Sequence, residues 1–141
     1  METLRLPATM ESLERLCAFV VQQARQCGIA AERLLRIELV MEELLTNVIH
    51  YAYPEQQGDL QVQCFIKDNS EFCLHVQDWG CPFNPLSREI PDLTQNVCER
   101  PIGGLGIYLV KLMADELHYQ RAENSNLLTL CFKLHPETCG G

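Results

Sequence analysis

In the stretch ELVMEELLTNVIHYAYP, Glu43 and Asn47 are four residues apart, and Asn47 and His50 are three apart. On a helix, about 100° per residue puts these side chains on one narrow polar stripe, away from the centre of the apolar face. Such stripes are commonly just solvated. Asn is a poor interior helix former, however, and Asn47 sits deep inside this one. An amide carbonyl is a hard oxygen ligand for Mg²⁺. A carboxylate one turn away can orient or deprotonate a nucleophile. A second acid, Asp78, closes an alternating run and is followed by Trp79 and Gly80. Asp-x-Gly is frequent in turns. A carboxylate ending a strand can also accept a hydrogen bond from the exocyclic amine of a base, which favours adenine over guanine. Gly80 would let the backbone turn close to such a ligand. The stretch RPIGGLGI places Gly103, Gly104 and Gly106 ahead of the apolar run IYLVKLMADEL. Glycines free backbone N–H groups to turn inward, and a helix N-terminus adds partial positive charge, which together suit a triphosphate. The spacing fits neither a P-loop nor a Rossmann fingerprint. Taken alone, these glycines read as an ordinary helix start. Thr129 lies mid-strand, opposite in alternation to Leu128, Leu130 and Phe132. It is either a β-propensity choice or a hydroxyl for a water or a base edge.

These residues must be positioned by regular elements. TLRLPA reads as a short strand stopped at Pro7. From Thr9 to about Cys27, Leu13, Leu16, Cys17, Val20, Ala24 and Cys27 recur at helical spacing, with Thr9 as N-cap and Gly28 as terminator. A second helix from about Ala30 to Ala52 carries a wide apolar face including Leu34, Ile37, Met41, Leu44, Leu45 and Val48, and Pro54 forbids its continuation. LQVQCFI and EFCLHVQD alternate around the turn KDNS and predict a hairpin. Residues 80 to 101 hold Pro82, Pro85, Pro91 and Pro101 and read as a long loop, of the kind that tends to be functional. A third helix is predicted over about Gly106 to Glu116, then a second hairpin, LHYQRA and NLLTLCFKL, joined by ENSN. The tail 135–141 is expected to fray. This order implies an α+β two-layer sandwich: a mixed, mostly antiparallel sheet with helices on one face, in one domain spanning residues 1–141.

Composition narrows the function. The net charge is −8, from 11 basic and 19 acidic residues, which argues against a broad nucleic-acid or anionic-membrane surface. No apolar run is long enough to span a bilayer. METLRLPATMES lacks the basic start and apolar core of a signal peptide, so the cytoplasm is the expected location. Eight cysteines contain no C-x-x-C pair and sit mostly among apolar neighbours. Most are expected to be free buried thiols rather than a disulfide framework or a zinc site.

The order of these motifs, Glu-x-x-x-Asn on a helix, Asp-x-Gly after a strand, then Gly-x-Gly opening a helix, resembles the layout of the GHKL ATPases. That superfamily includes gyrase-type ATPases, mismatch-repair ATPases and histidine kinases. EELLTNVIHYAYP, DWGCPFNP, GGLGIYLVKLMAD and NLLTLCFKL resemble, more narrowly, the bacterial anti-sigma-factor serine/threonine kinases of partner-switching systems, over about residues 4 to 134. The resemblance implies a Bergerat-type ATP-binding fold using ATP and Mg²⁺. Glu43 would be the general base, Asn47 the Mg²⁺ ligand and His50 a polar neighbour of the phosphates. Asp78 would take the adenine amine, with Gly80 shaping the turn and Thr129 in support. Gly103, Gly104, Leu105 and Gly106 would line the phosphates and hinge a lid over about 85–102. The implied partners are a STAS-type anti-anti-sigma antagonist, a sigma factor, or both, and homodimers are usual in that family. Many GHKL members read Asp-x-Gly-x-Gly, whereas here Pro82 follows Cys81, which stiffens the entry to the lid. The alternatives are a nucleotide-dependent binding module, in which Glu43 would have no task, and a histidine-kinase domain, for which a phospho-acceptor helix pair is lacking.

Overall fold

In the computed structural model of the protein, the described residues are 2–53, 57–82, 110–111 and 113–134. Their elements run β1 (Glu2–Pro7), α1 (Met10–Gln26), α2 (Ala31–Tyr51), β2 (Asp59–Lys67), β3 (Glu71–Asp78), β4 (Glu116–Ala122) and β5 (Ser125–Lys133). The strands form one five-stranded sheet in the order β1-β2-β3-β5-β4, and every pairing is antiparallel. This is the expected α+β sandwich, with its sheet wholly antiparallel among the described residues.

Alternation decides which face of the sheet is covered. Leu60, Val62 and Cys64 of β2, Phe72, Leu74 and Val76 of β3, and Leu128, Leu130 and Phe132 of β5 are all buried. They form one core with Leu16, Val20 and Ala24 of α1 and Ile37, Met41, Leu44, Leu45 and Val48 of α2. Both helices therefore pack on the same face. Their apolar residues recur at three and four, so each presents a single stripe to the sheet. Gly28, at φ +82°, ends α1 in a conformation that suits glycine. Both hairpins turn through two residues of positive φ, Asp68-Asn69 and Glu123-Asn124, the twist that matches adjacent antiparallel strands.

The structure corrects one expectation here. The helix predicted over 106–116 stops early: Val110, Lys111 and Met113 are helical, Ala114 is not, and Glu116 already opens β4. The Asp115 N–H donates to the Cys131 carbonyl at 3.0 Å and draws the chain into the sheet. The Asp115 carboxylate also pairs with Arg33 of α2 at 2.9 Å and accepts from the Lys133 N–H at 2.7 Å. Most of the described cysteines are free as expected, but Cys73 and Cys131 form a disulfide. They stand directly opposite each other in the β3–β5 register, with Cα atoms 4.1 Å apart, although 58 positions separate them in sequence. Cys17, Cys27, Cys64 and Cys81 are free thiols, and Cys98 and Cys139 lie outside the described residues.

Candidate functional site

The site is built where the C-terminal end of α2 meets the C-terminal end of β3. A Cβ on Gly80 would run into the backbone carbonyl of Ala52, just past α2, so only glycine permits this approach. The Cys81 N–H donates to that carbonyl at 2.9 Å. Asn47 lies five residues, about 7.5 Å of helix, before Ala52. The junction therefore brings the polar stripe of α2 and the end of β3 to one corner of the molecule.

Asn47 is buried, 1% exposed, so its stripe, although off the centre of the apolar face, is not merely a solvated one. Its Nδ2 donates to the Glu43 carbonyl at 2.7 Å, whereas its Oδ1 is buried and, among the described residues, accepts no hydrogen bond. A buried acceptor without a donor is unfavourable by about 1–3 kcal/mol, so it signals a missing partner. A hard amide oxygen in this state fits a Mg²⁺ ligand. Glu43 is half-buried one turn earlier, and His50 is exposed on the last turn, its ring edge-on to Tyr51 at 6.4 Å.

Asp78 is 3% exposed and closes β3. Its Oδ1 accepts from the Gly80 N–H at 3.0 Å and from Asn126 Nδ2 at 2.9 Å; neither bond ends on Oδ2. Burial pushes its carboxyl above the ordinary aspartate value, while the Asn126 and Gly80 donors and the Arg121 charge pull it back down. The Trp79 N–H donates to the Tyr53 hydroxyl at 2.7 Å, and that hydroxyl donates to the Asp59 carbonyl at 2.7 Å. Arg5 lies over the Trp79 ring at 4.1 Å and pairs with Asp59 at 3.0 Å.

Thr129 is not part of this corner. In the register it stands opposite His75 and His118, on the sheet face turned away from the helices. The β5 residue paired with Asp78 is Asn126, on the covered face with Leu128 and Leu130. Parity along β5 is the available signal, since a residue on the leucine face must differ from Thr129 by an odd number. Sequence reasoning also misses Arg121 and Tyr119, because their approach to Asn126 depends on the β4–β5 pairing. Gly103, Gly104, Leu105, Gly106 and the lid expected over 85–102 lie outside the described residues, as does the tail 135–141.

A buried carboxylate acceptor, an unpartnered hard oxygen and a half-buried Glu43 thus gather at one end of an α+β sandwich. Residues 6–132 match the family model for the histidine kinase-like ATPase domain. The chain belongs to that family. Among curated proteins it is similar to the serine-protein kinase RsbW of Bacillus thuringiensis (strain Al Hakam), 25% identical over 129 residues, covering 89% of this chain and 80% of the relative. RsbW of one Bacillus cereus strain is 23% identical over 128 residues, with the same coverage. The fold matches a structure of RsbU and RsbW domains from Mycobacterium tuberculosis at TM-score 0.61 and 13% identity, over 94% of this chain but only 32% of that one. It also matches the mycobacterial sensor histidine kinase MprB at TM-score 0.56 and 16% identity, over 96% of this chain and all of the other. No helix among the described residues is long and apolar enough to cross a membrane.

Proposed function

We propose that this protein is an ATP- and Mg²⁺-dependent serine/threonine protein kinase that phosphorylates a small antagonist protein. The observation that carries the reading is the buried, unpartnered Asn47 Oδ1 one helical turn from Glu43. Asn47 would hold Mg²⁺, which when bound neutralises phosphate charge. Asp78 would accept the adenine amine on a carboxylate whose Oδ1 is already occupied. Phosphoryl transfer needs positioning and charge stabilisation more than covalent chemistry. Glu43, half-buried at the rim, would orient the attacking hydroxyl and take its proton. His50 would lie beside the phosphates, with Gly103, Gly104, Leu105 and Gly106 supplying backbone donors. The names of the similar relatives support a serine acceptor. A STAS-type antagonist and a sigma factor are the partner classes proposed, with a homodimer as the assembly and the cytoplasm as the location.

The test is to incubate the chain with γ-labelled ATP, Mg²⁺ and an antagonist of that class. Label should appear on Ser or Thr of the antagonist. Glu43→Ala should lose labelling while keeping ATP affinity. Equal labelling in that variant would remove Glu43 from the base role. ATP binding without transfer to any partner would point instead to a nucleotide-dependent binding module.

A further inference from the structure

Asn126 is 3% exposed and uses its whole amide. Its Oδ1 accepts from the Tyr119 hydroxyl at 2.5 Å and from Arg121 Nη1 at 3.3 Å. Its Nδ2 donates to Asp78 Oδ1 at 2.9 Å and to the Cys81 carbonyl at 2.8 Å. The direction of this amide is not free. A guanidinium only donates, so Arg121 must meet the oxygen end, and a carbonyl only accepts, so Cys81 must meet the nitrogen end. Both constraints point the Asn126 N–H groups at Asp78. Arg121 is itself anchored, donating to the Gly80 carbonyl at 2.9 Å. With the Gly80 N–H on the same oxygen, Asp78 Oδ1 is fixed from two sides.

We propose that Asn126, oriented by Tyr119 and Arg121, is a positioning residue that holds Asp78 as a pure acceptor and thereby sets the preference for adenine over guanine nucleotides. This rests on the adenine-binding reading of Asp78. Adenine offers an exocyclic amine, which needs an acceptor. Guanine offers a carbonyl oxygen at the equivalent position, which needs a donor. Two donors on Oδ1 favour the ionised carboxylate over the protonated acid, and the ionised form has no proton to offer guanine. The charged and titratable groups around it support this state. Arg121 comes from β4, and the Tyr119 hydroxyl on the same strand bonds to Asn126. Tyr53 follows α2 and bonds to the Trp79 N–H, while Asp59 of β2 is neutralised by Arg5 of β1. Burial acts the other way, raising the carboxyl, so removing the Asn126 donor leaves the burial effect less opposed.

The experiment measures ATP and GTP affinities by calorimetry, from acid to neutral pH, on the full chain and its Asn126 variants. Asn126→Leu should weaken ATP about tenfold and narrow the ATP:GTP ratio. Asn126→Thr, whose hydroxyl can donate to Asp78, should restore much of that ratio. In Asn126→Asp two carboxylates within hydrogen-bond distance share a proton. Its ATP:GTP ratio should therefore begin to fall at a higher pH than that of the unaltered chain. Arg121→Met should narrow the ratio in the same direction as Asn126→Leu, by releasing the amide. Thermal melting of each variant identifies any that fails to fold, and Asn126→Thr then carries the comparison. A merely structural Asn126 would change melting temperature and overall affinity but leave the ratio and its pH dependence alone, and that result overturns the proposal. If the unaltered chain binds no ATP, the adenine reading fails and this inference with it. If ATP binds and Asp78→Asn abolishes binding while the Asn126 variants keep the parental ratio, this inference alone fails.

Discussion

Replacing Asp78 with Asn should separate stability from nucleotide binding. Asp78 Oδ1 accepts from the Gly80 N–H at 3.0 Å and Asn126 Nδ2 at 2.9 Å. The amide oxygen of the substituted side chain can accept both, so the hydrogen bonds that fold the turn survive. What disappears is a carboxylate at 3% exposure whose folded-state pKa is raised, chiefly by burial. The sign follows from linkage. A carboxyl with a raised folded pKa lends stability that is fully present below its unfolded value and lost as pH rises through the folded one. At neutral pH the ionised form is therefore a burden on the free protein. Asp78→Asn should melt at the same temperature as the parent or higher, and the difference should fade as pH falls through the ordinary aspartate range. ATP binding should move the opposite way. The variant turns an amide N–H₂ toward the adenine amine and loses a charge-assisted hydrogen bond of about 1.5–3 kcal/mol, so affinity should drop about ten- to a hundredfold. Calorimetric titration with ATP and a thermal melt on the same samples provide the assay. An ATP affinity within about twofold of the parent, with the fold intact, would refute the acceptor role of Asp78. A large fall in melting temperature would refute the claim that its charge is not needed for folding.

Gly80→Ala should destabilise by about 2–4 kcal/mol, combining the overlap with the Ala52 backbone and a weakened Cys81–Ala52 hydrogen bond. A melting temperature unchanged from the parent would show that the junction yields easily. Asn47→Leu removes a buried acceptor that lacks a donor, so the free protein should lose no stability, while Mg²⁺ should no longer strengthen ATP binding in titrations with and without the metal. Cys73→Ser with Cys131→Ser should lower stability in denaturant by about 2–4 kcal/mol, since the bridge closes a loop spanning 58 positions. Equal denaturation midpoints with and without reductant would argue that the bridge contributes nothing.

The legible part of this protein is its local patterning. Apolar residues at three and four place α1 and α2 to within a residue or two of Met10–Gln26 and Ala31–Tyr51. Alternation and turn residues place both hairpins. Three candidate site positions, Glu43, Asn47 and Asp78, stand out because a polar residue in a helix interior or at a strand end breaks the local pattern. Thr129 stands out only for its chemistry, against a parity that puts it on the outer face. The Cys73–Cys131 bridge is not legible, because cysteine spacing carries no pairing when the partners lie on strands 58 positions apart.

The sequence by itself therefore determined the elements, their covered faces and the residues that depart from pattern, since these depend on propensity and period over a few neighbouring residues. Tertiary structure alone decided which departures meet. The β3–β5 register set Asn126 rather than Thr129 beside Asp78, and the β4–β5 register brought Tyr119 and Arg121 to orient it. The contact of Gly80 with Ala52 joined α2 to β3, and the packing of α2 left Asn47 Oδ1 buried and without a donor. The reason is physical: a hydrogen bond needs its partners within about 3 Å, and that proximity is a property of strand register and helix packing, which no local stretch of chain contains.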